Sequence, residues 1–600
     1  MIKIVTHYPQ VLLALAIISP TLCWINFPPI ASAFTDSIAL VSWGLAAGAL
    51  LITARPSQPM NSTAWATFRR PALAVFTILI ATIAWQLREG DYGFVGDIIS
   101  FLYAAAGALA IFAIGAALSI DETNRTRIAQ FLAFSFTAAM CMNAIAGWVQ
   151  YLDVDIFHPY INPLRDPGRI FGNFRQPNHY ALYTWWGIVA TVWLRTSGKI
   201  SNFAYLILIS LGASALVFSG SRTVRIFLVL AIGSAFLLWR SNRKYAIRST
   251  FTVAALYGLI FFLAAIVSST TKFQLFGYER ITEGDATGER FQLWINVIKI
   301  LPNIPWTGCG IHQFNFCWTH LTPPEWVQGT VSNAHNLILN SIIELGWIAT
   351  ISAFSWIIYI LIRSSAAPMR SREWFLFLNI ALTGMIAAML EYPMSYMYLL
   401  IPVAFCLGSL QGIAIGKISD QNFTHQPTTA PTLVGRRTMA AFLAAYFSIG
   451  GFMYGSQYAT IARLFSGNAD KARIDQIAQE AWLFTPTLQF AMTLWVSEDM
   501  TEENAKRLLP FFASAGRSAL SPGFLARYAL ASALAGEQDM ARHLAWRAIS
   551  MEPKLLNQEL APENISNPNL RDLKQYLSAP YPASVSIENF KITSKQNIKN

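Results

Sequence analysis

The chain has 600 residues, of which 54% are hydrophobic and 12% charged, with a formal net charge of +11. Soluble globular chains carry about 25% charged residues, so this composition excludes a soluble globular protein and points to a bilayer. The basic excess argues against nucleic acid as a partner, because the positive residues fall mainly in every second short loop between apolar runs, as cytoplasmic loops do.

Crossing about 30 Å of hydrocarbon takes roughly 17 to 25 apolar residues, and about thirteen such runs recur along the chain. They lie near 9–27, 37–54, 71–87, 97–119, 128–151, 179–194, 203–219, 223–239, 249–268, 336–362, 374–390, 393–415 and 438–458. The first lacks a clear small-residue cleavage site and another follows at once, so it reads as a retained span and not a signal peptide. Basic residues follow the even-numbered runs: Arg55, Arg69 and Arg70; Arg125 and Arg127; Arg195 and Lys199; Arg240, Arg243, Lys244 and Arg248; Arg363, Arg370 and Arg372; Lys417, Arg436 and Arg437. The N-terminus is therefore expected inside and the C-terminus outside. The expected organisation is all-α and polytopic: transmembrane helices 1–9 over 1–268, a large external loop over 269–335, helices 10–13 over 336–458, and an external helical domain over 459–600.

The first external segment, 152–178, ends in Arg169-Ile170-Phe171-Gly172-Asn173-Phe174-Arg175-Gln176-Pro177-Asn178-His179, dense in hydrogen-bond donors. Gln176 and Asn178 suit a sugar or peptide and Arg175 a phosphate. A self-bonded re-entry loop is the plainer reading. The corner Ser219-Gly220-Ser221-Arg222-Thr223 admits a ligand close to its backbone and makes Arg222 a phosphate-binding candidate. Arg225, one turn on, reads instead as the partner of a carboxylate in the bundle.

In the long external loop, Thr287-Gly288-Glu289-Arg290 leads into an amphipathic helix with Phe291, Leu293, Trp294, Val297 and Ile298, stopped by Pro302. Arg290 at such a helix is a second phosphate candidate, with snorkelling to the surface as its alternative. The glycines of Trp306-Thr307-Gly308-Cys309-Gly310 mark a sharp turn. Cys309 and Cys317 share this loop and can pair in an oxidising compartment; spacing leaves paired and free states open. His312, His320 and His335 match no strong metal-ligand spacing, so no metal is expected. His335-Asn336 stands where the loop enters a membrane helix, followed by Gly346 and Thr350. A histidine at a helix start is often a cap or a packed side chain, yet one at the water edge of a membrane can act as a base. Tyr392, between Glu391 and Pro393, stands at a helix break on the same expected side.

Beyond 458 charges spread through a helical period. Ser521-Pro522 is a helix start, Gly536 a stop, and a second helix runs through Met540, Leu544 and Ile549 to near Pro553. The pair is either a plain helical hairpin or a degenerate tetratricopeptide-like repeat. The residues from about 580 are polar and expected to be loosely ordered.

Together these elements resemble the Wzy/O-antigen ligase superfamily, and within it the bacterial protein O-oligosaccharyltransferases of the PglL type. The resemblance rests on Gly172 to His179, Ser219 to Thr223, Arg290 with Leu293-Trp294, the Gly308-x-Gly310 turn, and His335-Asn336 with Gly346 and Thr350. It implies a GT-C-like membrane fold and inverting, metal-independent transfer of a glycan from undecaprenyl diphosphate at the periplasmic face of the inner membrane, with no cofactor. His335 is then the base or orienting group for an acceptor hydroxyl. Arg222 and Arg290, with Arg175, hold the donor diphosphate; Gln176, Asn178 and Tyr392 serve the glycan or acceptor. His179 departs from the expected pattern, where a less basic side chain is common. The acceptor is a protein Ser/Thr such as a pilin's, with the lipid A core sugar or another carrier-linked glycan as alternatives. A lipid-linked glycan transporter is the rival of another class, but no internal repeat supports it; a scaffold would need neither His335 nor Arg290.

Overall fold

The computed structural model describes residues 8–53, 62–89, 95–158, 160–164, 169–238, 240–270, 286–322, 331–366, 370–421, 433–465, 474–495, 500–517 and 520–552, then 554, 556, 560 and 567–577. Arg55, the loop stretches 271–285 and 323–330 and the tail from 578 lie outside the described residues, as do the side chains of Arg69, Arg240, Thr287, Glu289 and Lys417. Among the described residues the chain is helical, with short 3-10 turns and no strand.

Helices occupy all thirteen expected positions: α1 Tyr8–Leu22, α2 Ala33–Thr53, α3 Ser62–Glu89, α4 Val95–Ser119, α5 Glu122–Tyr151, α6 Pro177–Thr196, α7 Asn202–Phe218, α8 Thr223–Leu237, α9 Arg240–Thr270, then, after α10 Ala286–Ile300 and α11 Phe314–Leu321 in the long loop, α12 Leu337–Ser364, α13 Arg372–Ala388, α14 Met397–Gln421 and α15 Leu433–Phe465. Eight of them are long and apolar enough to cross a membrane: α2, α3, α4, α5, α9, α12, α14 and α15. The chain is a multi-pass membrane protein. Three more apolar helices, α1, α7 and α8, are shorter. The other two, α6 and α13, fall short for a physical reason: both are buried by neighbouring helices and carry polar side chains used inside the bundle. Asn143 donates to Thr184 at 2.8 Å, Thr137 and Thr191 lie 3.1 Å apart, Trp186 donates to Thr383 at 3.2 Å, and Asn379 to Ser234 at 2.9 Å. Such bonds replace water's where none is present.

Two compact units emerge. One comprises residues 1–75, 103–287 and 353–456. Its core runs from Leu13 through Trp43, Phe136, Trp185, Trp186 and Trp193 to Trp374 and Phe447. Lipid tails are as apolar as these side chains, so close packing has to hold the helices together. Gly408, Gly412 and Gly416 form a stripe on α14, and a Cβ on any of them would collide with the carbonyl of Phe112, Ala116 or Ile120 along α4 and its end.

The second unit comprises 76–102, 288–352 and 457–600. After the short α16 Ile474–Glu480 come α17 Thr485–Trp495, α18 Glu502–Ala515, α19 Pro522–Leu534, α20 Gln538–Met551 and α21 Pro568–Leu577. Ser521 caps α19 by accepting from the Phe524 amide, Pro522 takes the first helical position, and Gly536 follows the helix at φ 92°, as the sequence predicts. Phe512, Phe524, Tyr528 and Leu544 form the core of this hairpin. The pair is a helical hairpin, preceded by the helix pair α17 and α18.

Phe316 of α11 packs both on that core and on the core of the long loop. Beside it His320 Nδ1 and His543 Nε2 lie 2.9 Å apart, and both rings are buried. Burial, then the Arg547 and Arg517 guanidiniums, push His320 down to about 3; burial, His320 and Arg547 lower His543 as well. An unfolded histidine titrates near 6.5, so below about pH 6.5 the unfolded chain binds more protons than the folded one and stability is lost as pH falls. The melting temperature of detergent-solubilised protein is expected to drop between about pH 7 and about pH 5, with a flatter slope for His320→Gln/His543→Gln; equal slopes refute the assignment.

Candidate functional site

In the first unit the chain between α5 and α6 is folded against buried amides. Gln150 Oε1 accepts from the amides of Phe171 and Gly172 at 2.9 and 3.1 Å. Asn173 Nδ2 donates to the carbonyls of Thr21 and Tyr160 at 3.1 and 3.3 Å. Arg175 is held at φ 55° with Nε 3.2 Å from Asn162 Oδ1. A side chain at positive φ costs about 1 to 3 kcal/mol, and such strain gathers at functional sites. Gln176 does not extend a free acceptor: its Oε1 caps α6, accepting from the amides of Asn178 and His179. Glutamine is an uncommon cap, and Pro177 behind it fixes the helix start. His179 is a packed ring, buried with Nδ1 2.8 Å from the Tyr398 hydroxyl and edge-on to Tyr396.

The Ser219 corner is tied to this segment. Arg169 Nε donates to the Ser219 carbonyl at 2.8 Å, and the Ile170 amide to that of Phe218 at 3.3 Å. Gly220 turns the chain at φ 61°, and half-buried Arg222 directly precedes α8. Arg169 also reaches Asn178 Oδ1 at 3.3 Å, while Asn178 Nδ2 donates to Glu391 Oε1 at 2.6 Å. Glu391 is buried at the end of α13, and Tyr392, half-buried, follows it before the 3-10 turn Pro393–Ser395. The structure thus gathers the Gln176–Asn178 segment, the Ser219–Arg222 corner and Glu391–Tyr392. Arg225 departs from expectation: it is exposed and bonds to Tyr257, with no carboxylate partner among the described residues.

In the second unit α10 forms where the amphipathic pattern predicts and runs into a 3-10 turn at Pro302. Trp294 Nε1 donates to the Ala334 carbonyl at 2.9 Å, so α10 holds the residue before His335. Half-buried Arg290 lies one turn before Trp294 and therefore on the same helix face. His335 is at φ 46°, its amide donating to Asn333 Oδ1 at 2.9 Å; Asn336, not His335, caps α12 by accepting from Ile338 and Leu339 at 3.1 and 3.2 Å. Asn340 Oδ1 accepts from the Ala334 amide at 3.2 Å. The histidine is half-buried and spared from capping. His312 is instead exposed and faces Asp97 at 3.5 Å; the Asp97 hydrogen bond and charge, with Glu344, raise its pKa.

Gly346 explains the second half of the motif. With φ 77° and ψ 178° it opens α12, releasing carbonyls that the loop and α3 then satisfy: Cys309 N donates to Ile343 O at 2.6 Å, Gly310 N to Glu344 O at 3.1 Å, and Gln86 Nε2 of α3 to Glu344 O at 2.8 Å, while also holding the loop carbonyl of Thr307 at 2.7 Å. Thr350 Oγ1 returns a bond to the Gly346 carbonyl at 2.7 Å. A Cβ at Gly308 would stand 2.6 Å from the Glu344 carbonyl, and one at Gly346 would collide with the Trp306 carbonyl. Cys309 and Cys317 are joined in a disulfide that closes this turn. Gly346→Ala is expected to destabilise the second unit by more than about 3 kcal/mol, against about 1 kcal/mol for Thr350→Val, read as melting temperatures of the purified variants.

Comparison with known proteins matches this order of elements. Residues 170–194 match the protein glycosylation ligase family, 206–354 the O-antigen ligase family, and 377–555 the C-terminal part of the virulence-factor membrane-bound polymerases. The chain is 24% identical over 358 residues to a "General O-oligosaccharyltransferase" of Acinetobacter baylyi, covering 56% of this chain and 60% of that protein. It is 24% identical over 249 residues to a "ComP-specific O-oligosaccharyltransferase" of the same organism, covering 40% and 44%. It therefore spans less than two thirds of the length of either relative. The first match takes in Arg175, Gln176 and Asn178, the second Arg222, Arg290 and His335, and the third Tyr392. By these segments and relatives, the chain is similar to the protein O-oligosaccharyltransferases of the O-antigen ligase superfamily.

Proposed function

We propose that the protein transfers an oligosaccharide en bloc from undecaprenyl diphosphate to a Ser or Thr hydroxyl of an acceptor protein such as a pilin, at the periplasmic face of the bacterial inner membrane. The observation that carries this is His335 itself: a histidine at positive φ, left out of the helix cap by Asn336 and tethered through Ala334 to Trp294, on the helix that bears Arg290. In this reading the imidazole takes the proton from the acceptor hydroxyl as its oxygen attacks the anomeric carbon. The bond from that carbon to the phosphate oxygen breaks with inversion, and the lipid diphosphate leaves with the electron pair. Negative charge grows on that diphosphate, where Arg222, Arg290 and Arg175 stabilise it. Gln176 and Asn178 shape the face beside Tyr392, which serves the glycan or the acceptor.

The thirteen-span topology, with 269–335 and 459–600 outside, belongs to the same proposal and puts these groups on the side where lipid-linked glycans are exposed. The match of 377–555 to membrane-bound polymerases favours one second reading, transfer to another carrier-linked glycan.

Purified protein incubated with lipid-linked oligosaccharide and a candidate pilin should raise the pilin's intact mass by one glycan. A lengthened carrier-linked glycan with unchanged pilin would establish the polymerase instead. His335→Ala should lower transfer by about 10²-fold or more, and Arg290→Ala should raise the donor KM without comparable change for the acceptor. Continued transfer by His335→Ala would remove the histidine from the mechanism.

A further inference from the structure

We propose that Glu391, Asn178 and Arg169 form a strut that positions the arginine corner for the reaction proposed above, on which this inference rests. The chain of contacts is continuous: Glu391 Oε1 accepts from Asn178 Nδ2 at 2.6 Å, Asn178 Oδ1 accepts from Arg169 at 3.3 Å, and Arg169 Nε donates to the Ser219 carbonyl at 2.8 Å. Both ends of the Asn178 amide are thereby engaged, so this side chain works as a relay between Glu391 and Arg169. Ser219 ends α7 and Gly220 turns the chain at φ 61° into Arg222, so the carbonyl gripped by Arg169 lies three residues from the guanidinium that the mechanism uses. Three elements distant in sequence, the end of α13, the start of α6 and the α7–α8 corner, are locked by one carboxylate, one amide and one guanidinium.

The strut needs an acceptor oxygen at position 391 and does not need its charge. Glutamine preserves that oxygen; alanine does not. Glu391 is accordingly a positioning residue, and its loss should act on turnover, since a misplacement of about 1 Å costs up to about 10²-fold.

The test uses the full-length protein and the variants Glu391→Gln, Glu391→Ala, Asn178→Ala and the double alanine, with two readouts. In donor-saturation kinetics Glu391→Gln should stay within about threefold of the parent, while each alanine variant loses about 10- to 100-fold in kcat, with the acceptor KM moving less. The double alanine should be no worse than the poorer single, because the two residues act through one contact. A glutamine variant as impaired as alanine, or losses that multiply, would overturn the strut and make the carboxylate a direct participant. The second readout is hydrogen exchange of the peptide spanning 216–224, expected about tenfold faster in the alanine variants and unchanged in Glu391→Gln, with helix α5 as the folding control. Unchanged exchange in every variant overturns the strut whether or not the parent transfers glycan. A parent without transfer activity defeats the proposed function alone, and the exchange result still decides the strut.

Discussion

A helix that ends or opens beside hydrocarbon must hand its freed amides and carbonyls to other protein groups, because little water reaches them. Every element of the candidate site sits at such a place. Gln176 takes the first amides of α6, Asn336 those of α12, Arg169 a carbonyl at the end of α7, and the Cys309–Gly310 turn with Gln86 the carbonyls released at Gly346. The polar side chains that satisfy the backbone are also the ones that fix where arginine and histidine stand. A catalytic group on a mobile loop gains little from its chemistry unless its position is set. Here the setting comes with the helix breaks themselves.

Conformational strain marks the same places. Asp153, Arg175, His312 and His335 are non-glycine residues with left-handed backbones, and all four lie in segments between membrane helices. Each is held by a side-chain contact: His158 on Asp153, Asn162 on Arg175, Asp97 on His312, Asn333 on His335. Strain of this kind persists when surrounding bonds exceed its cost.

Much of this was legible in the sequence because it is local. Apolar runs located thirteen helices, Ser521-Pro522 and Gly536 bounded α19, the amphipathic pattern gave α10 with its stop at Pro302, and His335-Asn336 marked the start of α12. What stayed hidden is long-range pairing. Glu391 and Asn178 lie 213 residues apart, and His320 and His543 223 apart, and no period or spacing announces either contact. Gln176 Oε1 caps a helix, a contact that the sequence does not announce, since a side-chain amide serves a backbone or a ligand equally well and only the backbone direction decides. Helices α6 and α13 are less apolar than the others for a related reason: burial among helices lets them carry polar groups, so their weaker hydropathy reflects neighbours that the local sequence does not reveal.

The glycine stripe of α14 has a further consequence. Where backbone lies on backbone along Phe112, Ala116 and Ile120, the side chains nearest the seam are small ones, Ser119 beside Gly412 and Ser409 facing the Gly115 carbonyl, with little to rotate or yield. Helix α14 and this stretch of α4 must travel as one piece. A pair of spectroscopic labels placed across that seam should keep a constant separation through a catalytic cycle, and so furnish an internal ruler for displacements elsewhere in the first unit.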